Sequence, residues 1–191
     1  MTTFTIFDSP IGGLVLVARG GGLTGVYHEY HSPEPSPVLL GAPFDPLAGE
    51  ADNPRGSEAG SVDAARLESE NAAEVFRVAT EWLEGYFSGQ IADRIPYVLN
   101  RGTDFQREVW AAVSEIPYGE TRTYKDIAAA MGNQDMGRAI GAAVRANPLS
   151  IVIPGHRVVG SGGAITGYAA GVAVKRALLE LETTVAMSAV A

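Results

Sequence analysis

The stretch Asn147-Pro148-Leu149-Ser150-Ile151-Val152-Ile153-Pro154-Gly155-His156-Arg157-Val158-Val159 limits what this chain can fold into more than any other. Its β-branched run reads as a buried strand, and Pro154 ends it because proline brings no ladder donor. A glycine, a histidine and an arginine follow where the chain leaves the core. Polar groups are thereby delivered to the rim of an apolar interior. Taken alone, Pro154-Gly155-His156-Arg157 fits a strand end with a glycine turn and a satisfied core histidine, so its surroundings must decide.

Upstream, Phe4 to Phe7, Leu14 to Ala18 and Leu23 to His28 read as three short strands of an antiparallel meander, separated by Gly- and Pro-containing turns. Pro, Gly, Ser, Ala and acidic residues dominate from His31 to about Glu70 without a sustained apolar period, which reads as a flexible insertion. Asn71 with Glu74 then marks a helix start. Ala72, Val75, Phe76, Ala79, Trp82, Leu83, Tyr86 and Phe87 follow at helical spacing, and Gly89 stops the run. Ile95 to Leu99 reads as a strand leading out of this half, with the boundary at Asn100-Arg101-Gly102.

Thr103 and Gln106 form a second capping pattern, opening a helix that Pro117 ends. Thr123 caps a short helix from Tyr124 to Met131, closed at Gly132; Asp135 is placed to cap another through Ala146. Two short helices around a Gly-containing turn make a helix-turn-helix pattern, whose second helix is the one presented to DNA. Its many Ala and Gly residues suit close approach to a groove, and equally suit packing on a core. Val172, Val174, Ala177, Leu178 and Leu181 mark a last amphipathic helix ending near Glu182, before a frayed tail. The expected architecture is α+β: a small N-terminal antiparallel-sheet domain with a helix (1–100, insertion at 31–70), then a helical, winged-helix-like helix-turn-helix domain (101–183) and a tail (184–191).

Charge bears on whether such a pattern meets DNA. The net charge of −8 divides unevenly: residues 1–99 carry 5 basic and 14 acidic side chains, residues 100–191 carry 9 and 8. The acidity belongs to the first half, and a near-neutral second half can hold a local basic face with modest salt-dependent affinity. The 191 residues contain no cysteine, which excludes disulfides, thiolate metal sites and a thiol nucleophile. His28 and His31, flanking Glu29 and Tyr30, lack metal-ligand spacing, so neither a metal nor a cofactor is expected. With no apolar run near the ~20 residues of a membrane span and no secretory leader pattern, a cytoplasmic, monomeric protein without membrane contacts is expected.

Asn147-Pro148, the tetrapeptide and Gly167-Tyr168-Ala169-Ala170-Gly171-Val172-Ala173-Val174-Lys175-Arg176 occur together in one order. In this the chain resembles the O6-alkylguanine-DNA alkyltransferases from about Gly102 to Glu182, with a weaker echo in the N-terminal strands. The family has cysteine where this chain has Gly155. The resemblance implies His156 as the base, Glu182 as its orienting carboxylate, Asn147 as the residue fixing the turn and Tyr168 as proton donor. It implies Arg138, beside Ala139, as the side chain that fills the stack vacated by a flipped base, and Tyr124 as the residue pushing on the target's phosphate. Arg122 and Arg145 are candidate phosphate contacts. Pro154, Val158, Ala169, Ala170 and Lys175 would line the pocket, where Ala170, in place of a common Gly, would narrow it.

Transfer of an alkyl group needs a soft nucleophile, and Gly155 has no side chain. The sequence thus resembles the cysteine-less, alkyltransferase-like members, which would bind and flip O6-alkylguanine in duplex DNA and pass the lesion to another repair system. Two other readings remain open. One is a methyltransferase whose acceptor cysteine has been changed to Gly155; the other is a winged-helix binding or interaction module without lesion specificity. Water activated by His156 would make a hydrolase, but hydroxide gains little from a single histidine against an unactivated alkyl carbon.

Overall fold

The computed structural model describes residues 1–45, 59–90 and 94–188, and residues 59–65 by their backbone only. The meander forms from β1 (Thr2–Ser9), β2 (Gly12–Arg19) and β3 (Gly22–His28), paired antiparallel in sequence order. Gly20 and Gly21 both take positive φ (58° and 75°) between β2 and β3, the backbone that a tight hairpin needs and that side chains disfavour. A four-residue helix α1 (Pro37–Leu40) leads into β4 (Ala42–Pro43), which pairs parallel with β1, giving the order β3-β2-β1-β4.

The long helix α2 (Ala59–Phe87) lays Ala72, Phe76, Ala79, Leu83 and Tyr86 against Leu14, Leu16 and Leu23 of the sheet. Their spacing of three and four residues puts all five on one helix face. Two expectations need correction here. Asn71 and Glu74 lie inside α2, because the helix begins at Ala59 and the same i, i+3 pattern is tolerated mid-helix. The supposed insertion at 31–70 is therefore helical from 59 onward and carries α1 and β4 near its start; residues 46–58 lie outside the described residues.

Ile95 to Leu99 forms no strand. Val98 donates its N–H to the Leu23 carbonyl (2.8 Å), but Pro96 has no N–H with which to extend a ladder, and the segment runs past β3 on that bond. Next comes α3 (Asp104–Ser114), whose capping box is complete: Thr103 Oγ1 accepts from the Gln106 N–H and Gln106 Oε1 accepts from the Thr103 N–H. After β5 (Arg122–Thr123), the helix α4 (Tyr124–Ala130) is boxed the same way by Thr123 and Asp126.

Asp135 is not a cap. Asn133 Oδ1 accepts from the Asp135 N–H and starts a 3-10 turn, Gln134–Met136, from which α5 (Gly137–Arg145) continues without a side-chain cap. Within α5, Ile140, Ala143 and Val144 are buried, and Trp110 of α3 donates its indole N–H to the Ala143 carbonyl (2.8 Å). The second helix of the pair is thus fastened by its core face. Arg138, Ala139, Ala142 and Arg145 face outward.

The central strand is also corrected. Leu149 to Ile153 makes isolated bridges only, and Ile151 turns through a φ of 70°. The cause is Asn147: its side-chain amide donates to the Ile153 carbonyl (2.8 Å) and its Oδ1 accepts from the Leu149 N–H (2.9 Å), closing a tight loop where an extended run was expected. Val26 of β3 still bonds both Pro148 O and Ser150 N, so the loop is stitched to the N-terminal sheet. Beyond it, β6 (Val158–Val159) pairs parallel with β5, and α6 (Val172–Ser188) closes the chain. Residues 183–188 are helical where a frayed tail was expected; 189–191 lie outside the described residues. One apolar cluster, from Leu14 to Leu178, runs through both halves. Among the described residues, no helix is long and apolar enough to cross a membrane.

Candidate functional site

The loop closed by Asn147 delivers Pro154, after which Gly155, His156 and Arg157 make a single 3-10 turn, all three buried. On α6, Lys175, Leu178 and Glu182 follow at spacings of three and four, so this one face carries two ionisable groups into the core. His156 Nε2 stands 2.8 Å from Glu182 Oε1, which fixes the proton on Nε2 and leaves a lone pair on Nδ1. No protein atom among the described residues bonds that Nδ1.

Glu182 is held from four directions. Arg157 donates through Nε and Nη2 at 2.8 to 3.1 Å, Tyr86 through its phenol at 2.8 Å, Gly119 through its N–H at 3.1 Å, and His156 as above. Burial by itself would raise this carboxyl's pKa, but the bonds from His156 and Arg157 outweigh burial and hold it down to about 2. His156, fully buried, is pushed below the ordinary imidazole value by desolvation, against the pull of Glu182. It is therefore a neutral base at neutral pH, with its lone pair on the side away from the carboxylate. The sequence reading missed Tyr86 and Arg157 as members of this network. Tyr86 stands in an apolar helical stripe and Arg157 in the motif itself, and only the folded chain brings α2 and the 3-10 turn to the same carboxylate on α6.

Around Gly155, a methyl group built on Cα would lie 3.2 Å from Val144 Cγ1 and 3.8 Å from Asn147 Nδ2. The turn does not require glycine's positive φ. Space for a small side chain therefore exists, provided Val144 yields by a few tenths of an ångström. Tyr168, half-buried, sets its ring edge-on to His156 with centroids 6.5 Å apart. On its other side, Tyr168 Oη lies 3.2 Å from His28 Nε2, and burial raises its pKa.

Lys175 is fully buried and its ammonium donates to the carbonyls of Val158, Thr166 and Gly167. Burial lowers its pKa to about 8. All three donors are used in tying the loop before Tyr168 to β6, so Lys175 shapes the loop and presents no free group. Val158 is buried in the core, Ala169 is buried and Ala170 half-buried beside Tyr168. Pro154 also lines a separate cavity of about 320 Å³ behind the turn, with Trp82, Tyr86, Tyr118 and Arg157; Gly155, His156 and Tyr168 do not line it.

Tyr124, half-buried at the start of α4, donates to the Thr166 carbonyl (3.4 Å) and lies beside Gly141 of α5, so it sits between the helix pair and the Tyr168 loop. Arg138 and Ala139 are exposed in the first turn of α5, and Arg138 has no hydrogen-bond or ion-pair partner among the described residues. Arg145 reaches Ser32, and Arg122 pairs with Glu120 at 2.9 Å. Of the three arginines, Arg138 is the one with neither a hydrogen-bond nor an ion-pair partner among the described residues. Among the described residues no group of His, Asp and Glu is arranged to hold a metal ion.

Three comparisons bear on this geometry. The family profile described as 6-O-methylguanine DNA methyltransferase, DNA binding domain, matches residues 104–184. The methylated-DNA–protein-cysteine methyltransferase of Methanosarcina acetivorans is 37% identical over 179 residues, 94% of this chain and 97% of the relative. That of Mycobacterium bovis is 38% identical over 182 residues, 95% and 93% of the two chains. The crystal structure of Mycobacterium tuberculosis O6-methylguanine methyltransferase superposes with a TM-score of 0.73 at 38% identity, covering 96% of this chain and 94% of that one. A structure of the same organism's OGT in complex with DNA gives 0.74 at 35% identity with the same coverage. The O6-methylguanine-DNA methyltransferase of Pyrococcus kodakaraensis, 22% identical with a TM-score of 0.52, shares the fold.

Proposed function

The chain belongs to the methylated-DNA–protein-cysteine methyltransferase family, and from that premise we propose that it binds duplex DNA carrying O6-alkylguanine, turns the base out of the stack, and holds it without taking the alkyl group. One observation carries the reading: the neutral base His156, whose Nε2 is bound to the fourfold-held carboxylate Glu182 and whose ring meets the Tyr168 phenol ring edge-on, directly follows a residue, Gly155, that has no atom to receive the alkyl carbon. A protein that had lost the whole task would have no use for a buried charge cluster. Such clusters cost several kcal/mol of desolvation per ion.

In this reading α5 enters the groove. Its Arg138 fills the gap left by the base, Ala139 allows the backbone to approach, and Tyr124 presses on the neighbouring phosphate. Arg122 and Arg145 exchange Glu120 and Ser32 for phosphates. Extrusion costs a few kcal/mol, least for a base whose pairing is already weakened, as an O6-alkylated one is. The bound lesion is shielded and then passed to a downstream repair system. The second reading, a transferase whose cysteine became Gly155, predicts the same pocket and differs only in history.

Incubation with duplex carrying a labelled O6-methyl group separates the alternatives. Tight, lesion-selective binding with all label left on the DNA is expected. Label on the protein would overturn the missing-acceptor argument, label in methanol would reveal hydrolysis, and equal affinity for modified and plain duplex would leave only an unspecific winged-helix binder. Arg138→Ala should lower lesion preference by about tenfold or more while weakening plain-duplex binding far less, since a phosphate contact alone would weaken both in parallel. Titration of both duplexes by fluorescence anisotropy at fixed salt reads the two effects.

A further inference from the structure

The N-terminal half reaches the candidate site through His28. His28, the last residue of β3, is buried, with its Nε2 3.2 Å from Tyr168 Oη and its ring edge-on to the Tyr168 ring at 5.6 Å. Its Nδ1 is buried and meets no protein partner among the described residues. Desolvation, with smaller contributions from His31 and His156, pushes its pKa down to about 4, so the ring is neutral and carries a single N–H. A buried N–H without an acceptor is rarer and costlier than a buried lone pair without a donor. The proton therefore sits on Nε2, which donates to the phenol oxygen.

We propose that His28 is a specificity-determining positioning residue: by donating to Tyr168 Oη it turns the phenol's own proton toward the extruded base, so that the pocket favours O6-alkylated guanine over guanine. This role rests on the function proposed above and on the chemistry of the base. Guanine carries a hydrogen on N1; alkylation at O6 removes that hydrogen and leaves N1 with a lone pair. A phenol fixed as donor bonds that lone pair, whereas against plain guanine two donors face each other. With the opposite tautomer, Tyr168 would donate to His28 and offer the base only an acceptor, which suits the unmodified guanine. Burial raises the phenol's pKa; Ser150, buried and hydrogen-bonded to the same phenol, lowers it, the effect of a hydroxyl donating to the phenol oxygen. With His28 and Ser150 both donating, the phenol's own proton stays free for the base.

The first test needs no DNA. In the free protein at neutral pH, ¹⁵N imidazole spectra should give His28 a protonated Nε2 and an unprotonated Nδ1, and the Tyr168→Phe variant should shift the Nε2 signal; a protonated Nδ1 overturns the proposal. The second compares affinity for a duplex with one O6-methylguanine against the same duplex with guanine. His28→Phe should reduce the preference about tenfold while leaving plain-duplex affinity within about two-fold, the effect of one lost hydrogen bond. His28→Gln, which presents an amide N–H near the position of Nε2, should restore most of the preference. In a Tyr168→Phe background, His28→Phe should cost nothing further. Unchanged preference in His28→Phe, or an equal loss in that background, overturns the proposal. Absence of any preference in the unsubstituted protein would instead sink the function proposed above, while the tautomer measurement still decides the direction of the His28 bond.

Discussion

Gly155→Cys is expected to convert a binding protein into one that takes up methyl label stoichiometrically from O6-methylguanine in duplex DNA. A free thiol titrates near about 8.5, so it needs a base to become a nucleophile at neutral pH. His156 is such a base: burial keeps it neutral, Glu182 fixes its proton on Nε2, and Nδ1 keeps a lone pair that no protein atom among the described residues uses. The thiolate would attack the alkyl carbon, the carbon–O6 bond would break, and the departing guanine would recover a proton from a donor such as Tyr168. The obstacle is steric and small, since the new Cβ meets Val144 Cγ1 at 3.2 Å. Gly155→Cys combined with Val144→Ala removes it. If both variants fold, bind lesion-bearing duplex and acquire no label, the base and the acceptor position are not aligned as proposed. Transfer by either variant, with none by Gly155→Ala, supports the alignment.

Where a side chain satisfies its own neighbourhood, the sequence was easy to read; where two distant elements complete each other, it was not. The boxes at Thr103 and Thr123 hold because donor and acceptor lie three residues apart, and the amphipathic stripe of α2 holds because its period is local. The Leu149–Ile153 segment misled because its β-branched composition outweighed one asparagine: Asn147 closes a loop with two backbone bonds, and Ile151 accepts a positive φ as the consequence. Asn71 misled for the opposite reason, since a valid capping pattern is also compatible with the interior of a helix that began at Ala59. In the candidate site, His156 and Glu182 came from the motif and its resemblance. Tyr86 and His28 lie 70 residues before His156 and 140 before Tyr168, and no local pattern signals a partner at that distance.

The largest loss of stability is expected from Glu182→Gln. The carboxylate is 1% exposed and, among the described residues, is the sole carboxylate paired with Arg157, whose Nη1 is already committed to the Ile116 carbonyl. Removing its charge leaves a guanidinium buried without a counterion, and breaking one side of such a pair costs about 3–5 kcal/mol. For a chain of this size that is a fall in Tm on the order of 10 °C. Glu180→Gln, two residues away on the exposed side of α6, should leave Tm unchanged and serves as the control. The same cluster predicts how the protein fails in acid. His28 and His156 have folded pKa values below the usual imidazole value of 6.5, so their contribution is present above that value and declines as the pH falls below it. Glu182 has a folded pKa of about 2 against an ordinary 4.5, so its contribution is present above 4.5 and disappears as the pH approaches 2. Unfolding free energy should thus decrease in two steps, one below about pH 6.5 as His28 and His156 take up protons and a further one below about pH 4.5 as Glu182 does. Chemical denaturation across pH 2 to 8 measures both. Glu182→Gln should abolish most of the second step and leave the His28 part of the first, and a variant that retained the full second step would show that other carboxylates carry the acid limb.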